Sequence, residues 1–250
     1  MAGHSKWAQI KHKKAATDAR RGKLFTKLAR AITVAAREGG GDPTGNYTLA
    51  AAIEKAKSYS MPKENIQRAV DRGTGAGDGA DSIERVVYEG YGPGGAAILV
   101  EALTDNRNRT SAEVRHAFDK HGGSIGEPGS VAWQFESKGI VLVDSERYGE
   151  EDLLPAIDAG AEDVAADGDS LKVSSEPRSL AAITGALEES GVEVQSAELA
   201  MEPKAVIEVG DESEARALVR LMEALDDHDD VEAVHANFDI PGELLEQAAA

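Results

Sequence analysis

Apolar residues recur at spacings of three and four through the first third of the chain, and the rhythm then changes. In "GKLFTKLARAITVAAREGGG", Phe25, Leu28, Ile32 and Ala35 mark one face of a helix. Lys23, Lys27, Arg30 and Arg37 fall largely elsewhere on it, and Gly39-Gly40-Gly41 stops it. A second helix is predicted in "NYTLAAAIEKAKSYS", with Leu49, Ile53 and Ala56 inward. A third follows in "PKENIQRAVDRG", where Pro62 suits the first turn and Gly73 the C-terminal cap. Residues 2–20 read as a basic arm or a further helix.

"GTGAGDGADS" is a linker, with glycine at 73, 75, 77 and 79. Beyond it, "ERVVYEGYGPGGAAILVEAL" reads as two strands around a Gly-Pro-Gly-Gly turn. A helix in "TSAEVRHAFDKHGG" carries Val114, Ala117 and Phe118, and "VAWQFESKGIVLVD" supplies two short strands. Residues 139–202 then give strand 139–143, helix 150–159, strands 162–166 and 170–174, helix 179–190 and strand 193–201. That is the split β-α-β-β-α-β order of a ferredoxin-like unit. "KAVIEVGDESEARALVRLMEALDDHDDVEAVHANF" reads β-α-β, with Ala217, Leu218, Leu221 and Leu225 lining its helix.

The segments 82–136 and 204–238 are each too small to bury a sheet face alone, which joins them into one discontinuous domain. The expected organisation is an α+β multidomain chain. A helical domain (1–78) precedes two α+β, ferredoxin-like domains, one (138–202) inserted into the other (79–137 with 203–240), and residues 241–250 form a tail.

Charge changes this picture most. The chain of 250 residues has 27 Lys and Arg against 45 Asp and Glu, a net charge of −18. Yet residues 1–75 carry 15 cations against 6 carboxylates, leaving 12 against 39 for the remainder. Such asymmetry points to a polyanion-binding segment on a body that repels polyanions elsewhere. Composition is otherwise that of a globular protein, with 41% hydrophobic and 29% charged residues. No apolar run reaches the length of a membrane helix, and the start has no secretory h-region. With no cysteine there are no disulfides, thiolate metal sites or thiol nucleophile. The expected location is cytoplasmic, with no membrane partner.

The candidate chemistry therefore lies in the first thirty residues. Lys6, Lys11, Lys13, Lys14, Arg20, Arg21, Lys23, Lys27 and Arg30 face a single acid, Asp18. Lysine and arginine neutralise phosphates and release condensed counterions. Trp7 and His12 stand among them, and such rings stack on unpaired bases; the competing reading packs Trp7 into the helical core. In "TDNRNRTSAEV", Arg107 and Arg109 precede a helix whose open N–H groups suit a phosphate. The alternative, which takes precedence, is that Asn108, Thr110 or Ser111 caps the helix and the arginines are solvated. "GTGAGDG" has no preceding strand and no Gly-Lys-Ser/Thr, so it is no phosphate loop. The six histidines show no metal-ligand spacing, and abundant acids carry no signal of acid–base catalysis. Neither an enzyme, a cofactor nor a small-molecule substrate is implied.

Four stretches carry a resemblance: "AGHSKWAQIKHKKAATDARRGKLFTKLARAI", "MPKENIQRAVDRGTG", "YEGYGPGGAAILVEALTDNRNRT" and "GSVAWQFESKG". Together they resemble the YebC/PmpR family over essentially the full length. The resemblance implies three domains, one inserted in another, and a probable DNA-binding transcriptional regulator. Mitochondrial relatives are translational activators, and some bacterial relatives act at ribosomes stalled on proline-rich chains. It implies no catalytic residues, and it implies that Lys6, Lys11, Lys13, Lys14, Arg20 and Arg21 face nucleic acid.

Three functions follow as expectations: a DNA-binding transcriptional regulator, a ribosome-associated translation factor that binds ribosomal RNA, and a protein-interaction adaptor. Removing residues 1–30 separates the first two, which lose their target, from the third.

Overall fold

The computed structural model describes residues 18–76, 83–241 and 244, with side chains from residue 22 on. Three helices come first: α1 (Asp18–Gly39), α2 (Tyr47–Ser58) and α3 (Lys63–Asp71). Next come β1 (Glu84–Tyr91), β2 (Ala97–Thr104), α4 (Arg107–Lys120) and β3 (Ser124–Ile125). The order continues with β4 (Phe135–Asp144), α5 (Leu154–Asp158), β5 (Ala161–Asp167), β6 (Ser170–Ser175), α6 (Leu180–Glu189) and β7 (Val194–Pro203). Last are β8 (Ile207–Glu208), α7 (Glu212–Asp226), β9 (Val231–Ala236) and β10 (Phe238–Asp239). The chain is an α+β multidomain protein built in two compact units. One holds residues 18–23, 83–136 and 202–241, the other residues 24–76 and 137–201.

Within the second unit, Leu28, Ile32, Leu49, Ala56, Met61 and Ile66 form the core of α1–α3. Asn46 joins two of these helices. Its Oδ1 accepts from Leu49 N at 3.1 Å and so caps α2, while its Nδ2 donates to Ala35 O and Gly40 O, both at 2.8 Å, at the end of α1. It thereby caps the start of α2 and ties it to the Ala35 carbonyl in the last turns of α1 and to the Gly40 carbonyl just beyond. Gly73 is not the cap the sequence predicts. The chain winds on through a wide turn at Arg72–Ala76, and it is Gly75 that adopts a left-handed φ of +93°. Gly73 serves contact instead: a Cβ there would lie 2.3 Å from Thr33 O on α1.

The rest of this unit is a four-stranded sheet in the order β5-β6-β4-β7, with α5 and α6 completing the β-α-β-β-α-β order. β4 pairs antiparallel with β6 from Gly139↔Ser175 to Asp144↔Ser170, and β5 pairs antiparallel along the other edge of β6. Val141, Val143, Leu153, Val173, Leu180, Ile183 and Leu187 fill its core, and Ala51 of α2 joins them. Lys55 on α2 reaches Glu198 on β7 at 2.9 Å. One expectation fails: "VAWQFESKGIVLVD" is a single ten-residue strand preceded by a short 3₁₀ turn at Ala132–Gln134.

In the first unit the sheet runs β3-β1-β2-β9, all antiparallel, beside a two-stranded parallel β8–β10 pair. Ile98, Val100, Val114, Phe118, Leu218, Leu221 and Leu225 pack α4 and α7 onto one face of the sheet. Residues 98–102 and 231–236, far apart in sequence, are therefore neighbours.

Candidate nucleic-acid interface

Lys6, Trp7, Lys11, His12, Lys13 and Lys14 lie outside the described residues. Arg20 and Arg21 stand on the first turns of α1. Lys23, Lys27 and Arg30 follow at spacings of four and three, which places them on one side of the helix. Leu28, Ile32 and Ala35 occupy the opposite side and are buried. The cationic stripe therefore follows from packing: once the apolar side is committed to the core, these cations face away from it. Lys23 Nζ lies 3.0 Å from an Asp229 carboxylate oxygen, in a solvent-exposed ion pair, while Lys27 and Arg30 are half-buried.

The secondary pair, Arg107 and Arg109, stands at the N-terminus of α4. The cap here is Asn106, none of the three residues the sequence suggested; its Oδ1 accepts from Arg109 N at 3.1 Å. The Arg109 guanidinium donates to Asp230 at 2.7 Å and Asp105 at 3.1 Å. Asp230 is buried, and it also accepts from Thr110 Oγ1 at 2.7 Å and Thr104 Oγ1 at 3.2 Å. Burial alone pushes this carboxyl up. The bonds from Arg109, Thr110 and Thr104, with the arginine charge, outweigh that and hold it at about 2. Arg109 thus fastens α4 to the turn before β9, whereas Arg107 is exposed. The geometry joins the two arginines at one helix end but gives them different work.

Chain-wide comparison places these features in a known group. Residues 5–76 match the TACO1/YebC protein N-terminal domain, and residues 83–238 match the TACO1/YebC second and third domain. This chain belongs to the TACO1/YebC family. A relative from Rubrobacter xylanophilus is 55% identical over 250 residues, covering 100% of both chains, and is named a probable transcriptional regulatory protein. One from Desulfotalea psychrophila, 53% identical over 252 residues with 100% of both chains covered, has the same description. A solved structure of a conserved hypothetical protein from Aquifex aeolicus is 48% identical, with a TM-score of 0.84 over 96% of this chain and 99% of that one.

Sequence reasoning missed a loop in this TACO1/YebC chain. Glu89 is buried on β1, and its carboxylate accepts from the backbone N–H of Gly129 (2.6 Å), Val131 (2.7 Å) and Ala132 (2.8 Å). Burial pushes this carboxyl up, but the three N–H bonds prevail and hold it below the usual carboxylate range. The one sequence signal was a glutamate in the middle of an apolar strand.

Proposed function

We propose that this chain is a non-enzymatic, nucleic-acid-binding regulator of gene expression, a transcriptional regulator that takes hold of DNA through its basic N-terminal segment. The observation that carries the reading is the segregation of charge: 15 cations against 6 carboxylates in residues 1–75, and 12 against 39 beyond. Lys6, Lys11, Lys13, Lys14, Arg20 and Arg21 supply phosphate contacts, Lys23, Lys27 and Arg30 extend the cationic side along α1, and Trp7 and His12 offer rings to bases. Arg107 is a secondary contact. The names of the relatives support the transcriptional assignment. Phosphate contacts fix position without reading sequence, so base preference depends on whichever side chains the arm presents to base edges.

A second reading, a translation factor on ribosomal RNA, draws on one observation. The strongly acidic remainder opposes broad wrapping of duplex DNA but tolerates insertion of a narrow basic end into a folded RNA site. One experiment separates the two. The intact protein and a Lys11/Lys13/Lys14/Arg20/Arg21→Glu variant are sedimented with purified ribosomes across a salt series, with competing duplex DNA. The transcriptional reading expects the intact protein to remain with the DNA and the variant to bind neither. Co-sedimentation that excess duplex cannot displace moves the assignment to the ribosome. Equal behaviour of protein and variant rejects both.

A further inference from the structure

Trp133 is 68% exposed, the largest such exposure among the large hydrophobic side chains of the described residues. It is nevertheless held in place. Its Nε1–H donates to Ser130 O at 3.1 Å, and Tyr91, itself 38% exposed, donates its hydroxyl to the same carbonyl at 3.0 Å. Two aromatic side chains on different elements thus share one acceptor. The loop beneath them is gripped by the three bonds to Glu89. On the far side, Lys204 donates from its backbone to Gln134 O at 2.8 Å and from its ammonium to Trp133 O at 3.0 Å. Val206, two residues further on, is also exposed.

An apolar surface left in water at such a place is costly, and the bonds that position it do nothing to cover it. Rigid tryptophan and tyrosine side chains are the usual anchors of protein interfaces, because they bring large area with little rotamer entropy left to lose. The charges around the pair indicate what they meet. Segment 126–137 holds Glu127 and Glu136 and no cation; segment 202–208 holds Glu202 and Glu208 with Lys204 alone, whose ammonium is committed to the Trp133 carbonyl. Residues 83–136 and 202–241 together carry 20 carboxylates against 8 Lys and Arg. A nucleic-acid backbone is repelled from such a field, and a cationic protein is drawn to it.

We propose that Trp133 and Tyr91 form a docking site for a cationic protein that offers an apolar cleft rimmed by lysine or arginine. The aromatic pair fills the cleft and the surrounding glutamates meet its rim. This site shares no residue with the basic arm, so the chain has one set of residues for a polyanion and another for a polycationic protein surface.

The test uses the full chain with Val206→benzoylphenylalanine as a photo-cross-linker, at an exposed position two residues from the Lys204 that bonds the Trp133 carbonyl, in its own cells, with Trp133 intact and with Trp133→Ala. Trp133 lies on the surface, so its removal leaves the core packing in place, and an unchanged thermal melt checks this. The adduct is identified by mass, and the purified partner is titrated against the intact protein, Trp133→Ala, Trp133→Phe and Glu127→Lys/Glu136→Lys. A partner of basic isoelectric point is expected. Trp133→Ala weakens it roughly 30-fold, Trp133→Phe far less, and the charge reversals slow association most at low salt. Deleting residues 1–17 leaves this interaction intact even where it abolishes nucleic-acid binding, so the two proposals fail separately. An adduct with nucleic acid, an acidic partner, equal binding by Trp133→Ala, or no adduct at all overturns the proposal.

Discussion

Two buried polar residues show how much a single side chain can decide. Asn46 serves the end of α1 and the start of α2 at once, with one acceptor and two donated bonds. Asn46→Ala is expected to cost about 2–3 kcal/mol, from the lost cap and the two lost bonds to the Ala35 and Gly40 carbonyls, read from urea denaturation midpoints. Asn46→Asp, an equally good cap elsewhere, does not rescue it, because a carboxylate oxygen would face two carbonyl oxygens. Asp230 makes the complementary case. Its folded pKa, about 2, lies below the ordinary 3.8, so the charged form favours the folded state. The resulting stabilisation is present above pH 4 and is lost as the pH falls from about 4 to about 2, to the extent of about 2 kcal/mol. Urea midpoints measured from pH 5 to pH 2 should show this loss in the intact protein. They should show a flatter profile and a lower plateau in Asp230→Asn.

At the scale of elements, glycines separate conformational need from spatial need. Gly73 has an unremarkable φ but sits where α3 runs on against α1, with Thr33 O 2.3 Å and Ala36 Cβ 2.7 Å from any added Cβ. Gly73→Ala should therefore lower stability by about 1–3 kcal/mol through overpacking, seen as a fall in Tm. Gly185, inside α6, has nothing within 4 Å of the same added atom. There alanine should raise stability by roughly 0.5–1 kcal/mol, since it only removes backbone freedom from the unfolded chain. The sequence marked Gly73 as a helix cap and Gly185 merely as glycine, and neither reading held the spatial difference between them. Element boundaries show the same division. Helix α7 was legible because Leu218, Leu221 and Leu225 recur on one side, while the 3₁₀ turn ahead of β4 was not. The residues of "VAWQF" have strand-like composition, but Val131 N and Ala132 N donate to the Glu89 carboxylate and Gln134 N to Val131 O, which closes a turn there instead.

For the whole molecule, the organising fact is that cations and carboxylates are sorted along the chain. The proposed arm acts through charge, so removing residues 2–17 should abolish nucleic-acid binding while leaving the thermal melt nearly unchanged. Filter binding against salt measures the effect directly. With about six phosphates neutralised, the logarithm of affinity should fall with the logarithm of salt at a slope near −5. Loss of the melt along with binding would show that the arm is part of the fold and not an added anchor. The membrane remains outside this picture in one respect: among the described residues no helix is long and apolar enough to cross it.

The sequence by itself determined the periodic elements and the contrast between a basic start and an acidic remainder, because both are local or additive properties. Leu28 and Ile32 announce a helix face, and Lys11 to Lys14 announce charge, with no knowledge of neighbours. It also determined the β-α-β-β-α-β order of residues 139–202, since each element there signals its own period. Only the tertiary structure decided pairings across long separations. Asp230 lies 121 residues from Arg109, and Glu89 lies 42 from Val131. Trp133 and Tyr91 meet at Ser130 for the same reason: a hydrogen bond depends on where the fold brings donor and acceptor, and no pattern along the chain encodes that distance.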